Sequence, residues 1–439
     1  MKRSLLPPQK MALKYAFPLN KIALFMEMRL GKTTTCIRWL EEKKTKQNLI
    51  ITPSSVISVW VNELTEEGYH SREINILTGK STERIRLAEE RKLWNIINYE
   101  GMLACPEIFA MNWDAVVLDE STKIKNSKAQ ITKLINKEFQ EIPYKAILSG
   151  YPCPESAMDY FEQFKFLDGN FMGFDNFWAW RNVVCVQLGF RWVIKDRFKE
   201  QLKKLVEEKA FILTRKEAGL GSRKIYSRRF IKMNPVQRKV YSEIKKNFSC
   251  TFKKHTKETK WIPVKLEWMS QVASGFAPPQ QFISDLKYRE LLYLLKGELK
   301  GQKVVVWFRH NIELNFVYQK LIALKKFSVG RFTAEFKEGN LNKDTNILLV
   351  QSRCGMMGLN WSAASTSIYY SNWPSGEIRV QSEDRIIHPQ KKEPVLYIDL
   401  LTENSIDIHL LDLLKNKKLN AKEFLFELSR RVLDDNGNN

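Results

Sequence analysis

Three consecutive residues, Gly31-Lys32-Thr33, have the types and order that bind a phosphate group. They end the stretch MEMRLGKT, which matches the phosphate-loop pattern G-x-x-x-x-G-K-[ST] except that Met26 stands where the first glycine belongs. Gly31 would let the backbone approach closely, Lys32 would reach the β- and γ-phosphates, and the Thr33 hydroxyl would ligate magnesium. An apolar run precedes the loop and a helical pattern follows it, a layout that aims the amides of a helix N-terminus at phosphate.

A second Gly-Lys-Ser occurs at residues 79–81, but its surroundings differ. Only Thr78 separates the apolar run EINIL from Gly79, which leaves no room for a loop that wraps phosphates. We therefore predict that residues 79–81 form a turn before the next helix.

Two acidic residues, Asp119 and Glu120, end the apolar run AVVLDE. A strand that terminates in two acids can complete a nucleotide site. Asp119 would hold magnesium, directly or through water, and Glu120 would orient and activate the attacking water. The alternative is an ordinary Asp-Glu start to a helix. A phosphate-loop pattern on an earlier strand favours the catalytic interpretation.

Near-continuous apolar runs must position these residues, and such runs suit strands buried on both faces of a parallel sheet. They occur at residues 21–26, 48–53, 93–99, 114–120 and 144–150. Helical patterns between them predict a doubly wound α/β unit. Residues 157–300 are aromatic, basic and mostly helical in period, and strand-like runs return at 303–308, 327–333, 346–352, 365–371 and 394–400. The fold class is therefore α/β, with two units and helical insertions between them.

Composition indicates the class of partner. The chain of 439 residues carries 71 Lys and Arg against 49 Asp and Glu, a formal charge of +22. Such a field attracts a polyanion such as nucleic acid, although it can also serve solubility alone.

The six cysteines are scattered without a C-x-x-C pair, which argues against a zinc site or disulfide framework. We expect no membrane span and no secretory signal, and the scattered cysteines favour a reduced, cytoplasmic protein.

Taken together, the motifs resemble the Swi/Snf-like branch of superfamily 2 helicase-type ATPases, in a compact stand-alone form like that of phage and bacterial members. The similar segments follow the order of that family and cover almost the whole chain. They include LLPPQKMALKYA, MEMRLGKT, VVLDESTKIKN, AILSGYPCPES, FILTRKE and the long block from residue 347 to 390. The family implies two RecA-like lobes that bind ATP in their cleft and duplex DNA across both.

The resemblance assigns roles to individual residues. ATP and Mg²⁺ are the implied cofactors. Catalysis falls to Lys32, Asp119, Glu120 and Arg385, and the metal to Thr33 and Asp119. Nucleotide binding falls to Gln9, Arg29, Leu30, Gly31, Lys32, Thr33, Thr34, Gly358 and Gln381. Contacts with DNA fall to Ser54, Lys123, Lys125, Asn126, Ser352 and Arg353.

Three positions depart from the family pattern. Ser121-Thr122 replaces the usual Ala-His or Gly-His after the two acids. His388 stands where a second arginine is expected, and it is mostly neutral at pH 7. Arg29 replaces a glycine of the phosphate loop. Because arginine cannot lose its charge, we hypothesise that Arg29 compensates for the missing second arginine.

These features predict a domain plan and a function. Residues 1–156 would form the first RecA-like lobe, 157–230 a helical insertion and the end of that lobe, 231–300 a helical protrusion of the second lobe, and 301–439 the second lobe with C-terminal helices. We expect a monomeric, DNA-stimulated translocase on double-stranded DNA, without a reader domain, in phage or bacterial replication, recombination or repair. The alternatives are a strand-separating or branch-migrating helicase of the same superfamily, and a nucleic-acid-binding scaffold with impaired ATPase activity.

Overall fold

The chain divides into two compact units, Met1–Leu220 and Gly221–Asn439. The computed structural model describes residues 2–153, 156–188, 191–220, 223–247, 249–252, 255–339, 341, 343–356, 361–388, 391, 393–415, 427–428 and 431. Among these residues, no helix combines the length and apolar character that crossing a membrane requires.

The first unit is built on a sheet whose hydrogen-bonded neighbours are all parallel among the described strands. Its strands and a small separate hairpin are β1 (Lys21–Met26), β2 (Asn48–Thr52), β3 (Ile74–Ile76), β4 (Trp94–Asn98), β5 (Ala115–Asp119), β6 (Tyr144–Ser149), β7 (Cys185–Leu188), β8 (Arg191–Ile194) and β9 (Ala210–Leu213). The order across the sheet is β3-β4-β2-β5-β6-β1-β9, and β7 pairs with β8.

Helices alternate with these strands. They are α1 (Pro7–Ala16), α2 (Lys32–Glu42), α3 (Ile57–Glu66), α4 (Ser81–Glu89), α5 (Tyr99–Ala104), α6 (Gln130–Glu138), α7 (Tyr160–Asp168), α8 (Phe177–Val184) and α9 (Asp196–Lys209). The strands β2 and β5 are buried at every residue, as expected where both faces of a parallel sheet are covered. One face packs into a core rich in aromatic residues from α7 and α8, including Phe161, Phe164 and Trp180.

The second unit repeats the architecture with a different strand order. Its strands are β10 (Lys224–Ile231), β11 (Ser249–Phe252), β12 (His255–Glu258), β13 (Phe276–Ala277), β14 (Gln281–Phe282), β15 (Val304–Phe308), β16 (Val329–Phe332), β17 (Lys337–Glu338), β18 (Ile347–Gln351), β19 (Thr366–Tyr369) and β20 (Val395–Thr402). The main sheet runs β10-β20-β19-β15-β18-β16-β17, with an antiparallel pair at β16-β17 and parallel pairs elsewhere among the described strands.

Helices cover this second sheet too, and its two faces pack into separate hydrophobic cores. The helices are α10 (Pro235–Asn247), α11 (Ile262–Ala273), α12 (Leu286–Lys296), α13 (Asn311–Ala323), α14 (Gly376–Glu383) and α15 (Ile406–Lys415). Val304 and Val306 of β15 pack with residues of α12 and α13, whereas Val305 and Trp307 pack on the opposite face. This alternation follows from the two-residue period of a strand.

The predicted fold class is confirmed, because each unit is a parallel-dominated sheet flanked by helices, as in a RecA-like lobe. The Gly79-Lys80-Ser81 turn is also confirmed: Gly79 has φ +92°, and α4 begins at Ser81. One detail differs from the domain plan, since β10 begins in the segment 157–230, assigned to the first lobe, but pairs with β20 of the second sheet. The remaining boundaries stay predictions.

Candidate nucleotide site and nucleic-acid contacts

Parallel strands bring the predicted chemical residues of the first unit to one edge of its sheet. In β1 and β6, Phe25 lies opposite Ser149, and in β5 and β6, Asp119 lies opposite Leu148. The loops after β1, β5 and β6 therefore leave the sheet side by side at the carboxyl ends of their strands. This is the edge at which open α/β sheets bind ligands.

The phosphate loop connects β1 to α2, and its backbone twice adopts a left-handed conformation. Gly31, directly before α2, has φ +84°, and Arg29 has φ +66°. The first value explains the glycine in the motif. The second explains why the family carries glycine where this chain has Arg29, because a side chain in that conformation is strained.

Lys32 begins α2, and its side chain folds back over the loop. Its Nζ donates to the carbonyl oxygen of Met26 at 2.7 Å and to that of Glu27 at 3.4 Å. A Cβ on Gly150, in the loop after β6, would lie 3.5 Å from the same Nζ. The structure thus places the loop after β6 against the lysine that is predicted to bind phosphate.

Gln9 of α1, predicted to contact adenine, packs directly on the phosphate loop. It is almost fully buried, and its Oε1 accepts a hydrogen bond from the backbone N–H of Leu6 at 2.7 Å. A Cβ added to Gly31 would lie 2.2 Å from Gln9 Nε2. Positive φ therefore favours glycine at position 31, and any larger residue there would also displace the side chain of Gln9.

Asp119 is held by donors that the sequence did not reveal. Its Oδ2 accepts from Trp60 Nε1 at 2.8 Å and from Thr52 Oγ1 at 3.1 Å, and its Oδ1 accepts from the N–H of Glu120 at 3.0 Å. Burial raises the pKa of Asp119, while the hydrogen bond from Trp60 and the charge of Lys32 oppose that rise. The only sequence signal was the position of Thr52 at the end of the apolar run that forms β2.

The donor set fits magnesium. A carboxylate has about four acceptor positions, and the three donors on Asp119 leave about one for Mg²⁺ or a water that the ion holds. Thr33, in the first turn of α2, supplies a hydroxyl oxygen, and Mg²⁺ prefers oxygen ligands. The amides at the start of α2, with Lys32, fit the phosphates of a nucleotide.

Glu120 has a strained backbone. Its φ and ψ are 52° and 55°, a left-handed conformation that a non-glycine residue adopts at a cost of about 1–3 kcal/mol. It lies just before the short helical turn Ser121–Ile124. Residues held in this way cluster at active sites, in agreement with the predicted catalytic role.

Two further contacts involve the phosphate loop and α2. Thr34 Oγ1 donates to Glu63 of α3 at 2.8 Å and accepts from Arg3 at 2.8 Å. The hydroxyl of Thr34 is therefore engaged with α3, which leaves its backbone N–H for the predicted role in nucleotide binding. Glu27 Oε2 pairs with Arg215 Nε at 3.2 Å, which fastens the loop to the segment after β9. Leu30 is fully buried and anchors the loop in the core.

The predicted DNA contacts of the first unit are accessible. Ser54, Lys123 and Asn126 are exposed, and Lys125 is half-buried. Ser54 begins a short helical turn after β2, and the others lie in and just after the turn Ser121–Ile124. Their side chains thus follow the carboxyl ends of β2 and β5.

Residues predicted from the family pattern also occur in the second unit. Arg385 lies in the turn Asp384–Ile386, and Gln381 in α14 donates to Glu377 at 3.2 Å; both are nearly buried. Ser352 is buried, and its hydroxyl donates to the carbonyl oxygen of Phe308 at 2.9 Å. Its hydroxyl therefore bonds to the backbone at the end of β15, and the structure does not present this predicted DNA contact to solvent. Gly358 lies outside the described residues.

Arg353, another predicted DNA contact, lies beside an aromatic ring that it shares with a second arginine. Trp373 has Arg353 at 5.4 Å and Arg309 at 5.9 Å from its ring centre. Arg309 and His310 both pair with Glu267 of α11. Burial alone would raise the pKa of Glu267, but the hydrogen bond from His310 and the charge of Arg309 outweigh it and lower the pKa to about 2.

Comparisons with known proteins show which family this chain resembles in sequence. A family model described as SNF2-related domain matches residues 12–274. The chain is 22% identical to an uncharacterized ATP-dependent helicase of Mycoplasma genitalium, over 91% of this chain and 40% of the relative. It is also 22% identical to the ISWI chromatin-remodeling complex ATPase ISW1 of Saccharomyces cerevisiae, over 94% of this chain and 40% of the relative.

A third relative and a solved structure cover nearly the whole chain. The putative ATP-dependent helicase/translocase YwqA of Bacillus subtilis is 22% identical over 99% of this chain and 51% of the relative. The chain therefore spans about half or less of the length of these curated relatives. The Sulfolobus solfataricus SWI2/SNF2 ATPase core, solved with double-stranded DNA, aligns over 99% of this chain and 94% of its own, with 18% identity and a TM-score of 0.47.

Proposed function

Because the chain belongs to the SNF2-related domain family, we propose that it is an ATP-driven motor that moves along double-stranded DNA. The observation that carries this proposal is the meeting of three loops at one edge of the first sheet. These are the phosphate loop with Lys32, the loop with Asp119 and Glu120, and the loop that places Gly150 against Lys32.

Each residue of this edge takes a defined role in the proposal. Lys32 and the N-terminal amides of α2 would hold the phosphates, and Asp119 would hold Mg²⁺. The hydrogen bond from Trp60 orients the carboxylate of Asp119 for this role. Glu120 orients the attacking water and accepts its proton. ATP with Mg²⁺, when bound, supplies the phosphoanhydride whose hydrolysis drives movement.

The remaining predicted nucleotide contacts complete the proposal. Gln9, packed on Gly31, contacts the adenine ring. Arg29 contributes a permanent positive charge in the phosphate loop. Arg385 and Gln381 act on the nucleotide as the family pattern assigns, with Arg385 stabilising the negative charge of the transition state.

We propose that duplex DNA is bound through its phosphates. The exposed Ser54, Lys123 and Asn126, with Lys125 and Arg353, provide donors that position a backbone without reading its sequence. The net charge of +22 supports a polyanionic partner, and binding is expected to weaken steeply as salt rises. We propose that the motor acts in bacterial or phage DNA replication, recombination or repair; two of the relatives named above are bacterial proteins described as helicases.

A set of nucleic acids separates this function from its alternatives. ATP turnover is measured without nucleic acid and with single strands, duplex DNA and RNA, and is followed by triplex displacement and strand-separation assays. Stimulation by duplex, with triplex displacement and without strand separation, supports the translocase. Strand separation would instead identify a helicase, and binding without turnover would identify a scaffold.

A further inference from the structure

A buried hydrogen-bonded pair lies next to the proposed catalytic glutamate. Ser121 follows Glu120, and Gln163 lies in the middle of α7; both side chains are fully buried. Ser121 Oγ donates to Gln163 Oε1 at 2.6 Å. Gln163 Nε2 donates to the carbonyl of Pro152 at 2.7 Å and to that of Asp159 at 2.7 Å.

The geometry defines which atom donates in each bond. The Nε2 group has two N–H donors, and two carbonyl oxygens, which can only accept, lie within hydrogen-bond distance of it. The amide oxygen must therefore face Ser121, and the serine hydroxyl must donate to it. Both hydrogens of the Gln163 amide and its oxygen are thus used in this network.

The network connects two loops of the proposed site. At one end Ser121 adjoins Glu120, whose left-handed backbone must be held by its surroundings. At the other end Pro152 belongs to the loop that brings Gly150 within 3.5 Å of Lys32 Nζ, measured from an added Cβ. Gln163 therefore connects the loop of the proposed catalytic glutamate with the loop that faces the phosphate-binding lysine.

Stability alone gives no reason for such a network. Replacing both partners of a buried hydrogen bond with apolar groups of similar shape can be nearly neutral for folding. The family that the chain resembles has alanine or glycine at the position of Ser121, and neither has a hydroxyl to donate. The Ser121 hydroxyl therefore makes a bond that alanine or glycine could not, and this bond lies where orientation affects catalysis.

We propose that Ser121 and Gln163 are positioning residues for ATP hydrolysis. They hold the loop of Glu120 against the loop 149–152, so that the carboxylate of Glu120 keeps the orientation needed to direct water at the γ-phosphate. This inference rests on the proposed ATPase function. It concerns kcat, because in the described part of the chain the hydrogen bonds of the two side chains go to each other and to the carbonyl oxygens of Pro152 and Asp159.

The test compares Ser121→Ala, Gln163→Leu and the double variant with the wild type in full-length protein. Each single variant is expected to lower kcat about tenfold or more, while KM for ATP and the Kd of a fluorescent ATP analogue change less than about threefold. The double variant is expected to be no slower than the slower single variant, because both changes break one network.

Gln237→Leu is the matched control. Gln237 in α10 is equally buried, and its Nε2 donates to the carbonyls of Val272 and Ala273 at 2.6 and 3.2 Å in the second unit. It should lose similar stability in urea unfolding but retain kcat. If Gln163→Leu loses no more turnover than Gln237→Leu, or if the effects of the two single variants simply multiply, the positioning role is overturned.

The two levels of the proposal fail differently. If the wild type releases no more phosphate than Lys32→Ala under any condition, the proposed ATPase function is wrong, and the positioning role with it. If the wild type is active and Ser121→Ala, the smaller change, has wild-type kcat, then only the positioning role is wrong.

Discussion

Replacing Arg29 with alanine and, separately, with glycine distinguishes its backbone conformation from its charge. Both variants remove the guanidinium, but only glycine relieves the left-handed backbone at φ +66°. That conformation costs a non-glycine residue about 1–2 kcal/mol, and glycine loses about 0.5–1 kcal/mol more in conformational entropy than alanine on folding. The difference predicts that Arg29→Gly is more stable than Arg29→Ala by up to about 1.5 kcal/mol, with a central value of about 0.75 kcal/mol.

Turnover should depend on the charge of residue 29 and not on its backbone conformation. If Arg29 compensates for the missing second arginine, both variants lower kcat by a similar factor, about tenfold or more. Urea unfolding of the two variants side by side and phosphate release at saturating duplex DNA provide the two readouts. Arg29→Lys retains a positive charge with the strained backbone, and it serves as the control.

Two results would refute this reasoning. Wild-type turnover in Arg29→Ala would show that the guanidinium has no part in hydrolysis. An alanine variant more stable than the glycine variant would show that the loop does not hold residue 29 in the left-handed conformation in solution.

Three further predictions concern the two units. Lys32→Ala and Glu120→Gln should each abolish ATP turnover, measured as phosphate release; activity in either would contradict the site assignment. Trp60→Phe removes a donor to Asp119 and should lower the free energy of unfolding in urea by about 2 kcal/mol. It should also raise the Mg²⁺ concentration needed for half-maximal turnover, and an unchanged Mg²⁺ requirement would count against this role of Trp60. The lowered pKa of Glu267 means that its contribution to stability is complete above about pH 4.5 and disappears as pH falls towards about 2. Glu267→Gln should therefore flatten the pH dependence of unfolding across that interval, and an unchanged profile would show that other groups produce it.

The strands that carry the site could be predicted, because buried parallel strands are continuous apolar runs of β-branched residues. That pattern located β1, β2, β4, β5 and β6, and hence the sheet edge where Lys32 and Asp119 lie. Strand β10 was not recognised, because its sequence KIYSRRFI is basic and its side chains alternate in exposure. The sequence pattern placed it in the basic, mostly helical segment 157–300 and not in the second sheet.

The contacts between motifs could not be predicted from spacing. Trp60 and Gln163 lie 59 and 42 residues from the partners they bind, Asp119 and Ser121, and only the folded sheet brings them together. Gln163 falls on a helix that also buries Phe161, Phe164 and Phe166, and such a pattern indicates core packing. The only sequence signal for the left-handed backbone at Arg29 was the glycine that the family carries there.

The most direct test of the central claim is the rate of phosphate release from ATP with and without saturating double-stranded DNA, with Lys32→Ala measured in parallel. We expect the wild type to release phosphate faster with duplex than without it, and the variant to show no release above background. Equal rates for the wild type and Lys32→Ala, with every nucleic acid tried, would contradict the assignment of this chain as a DNA-stimulated ATPase.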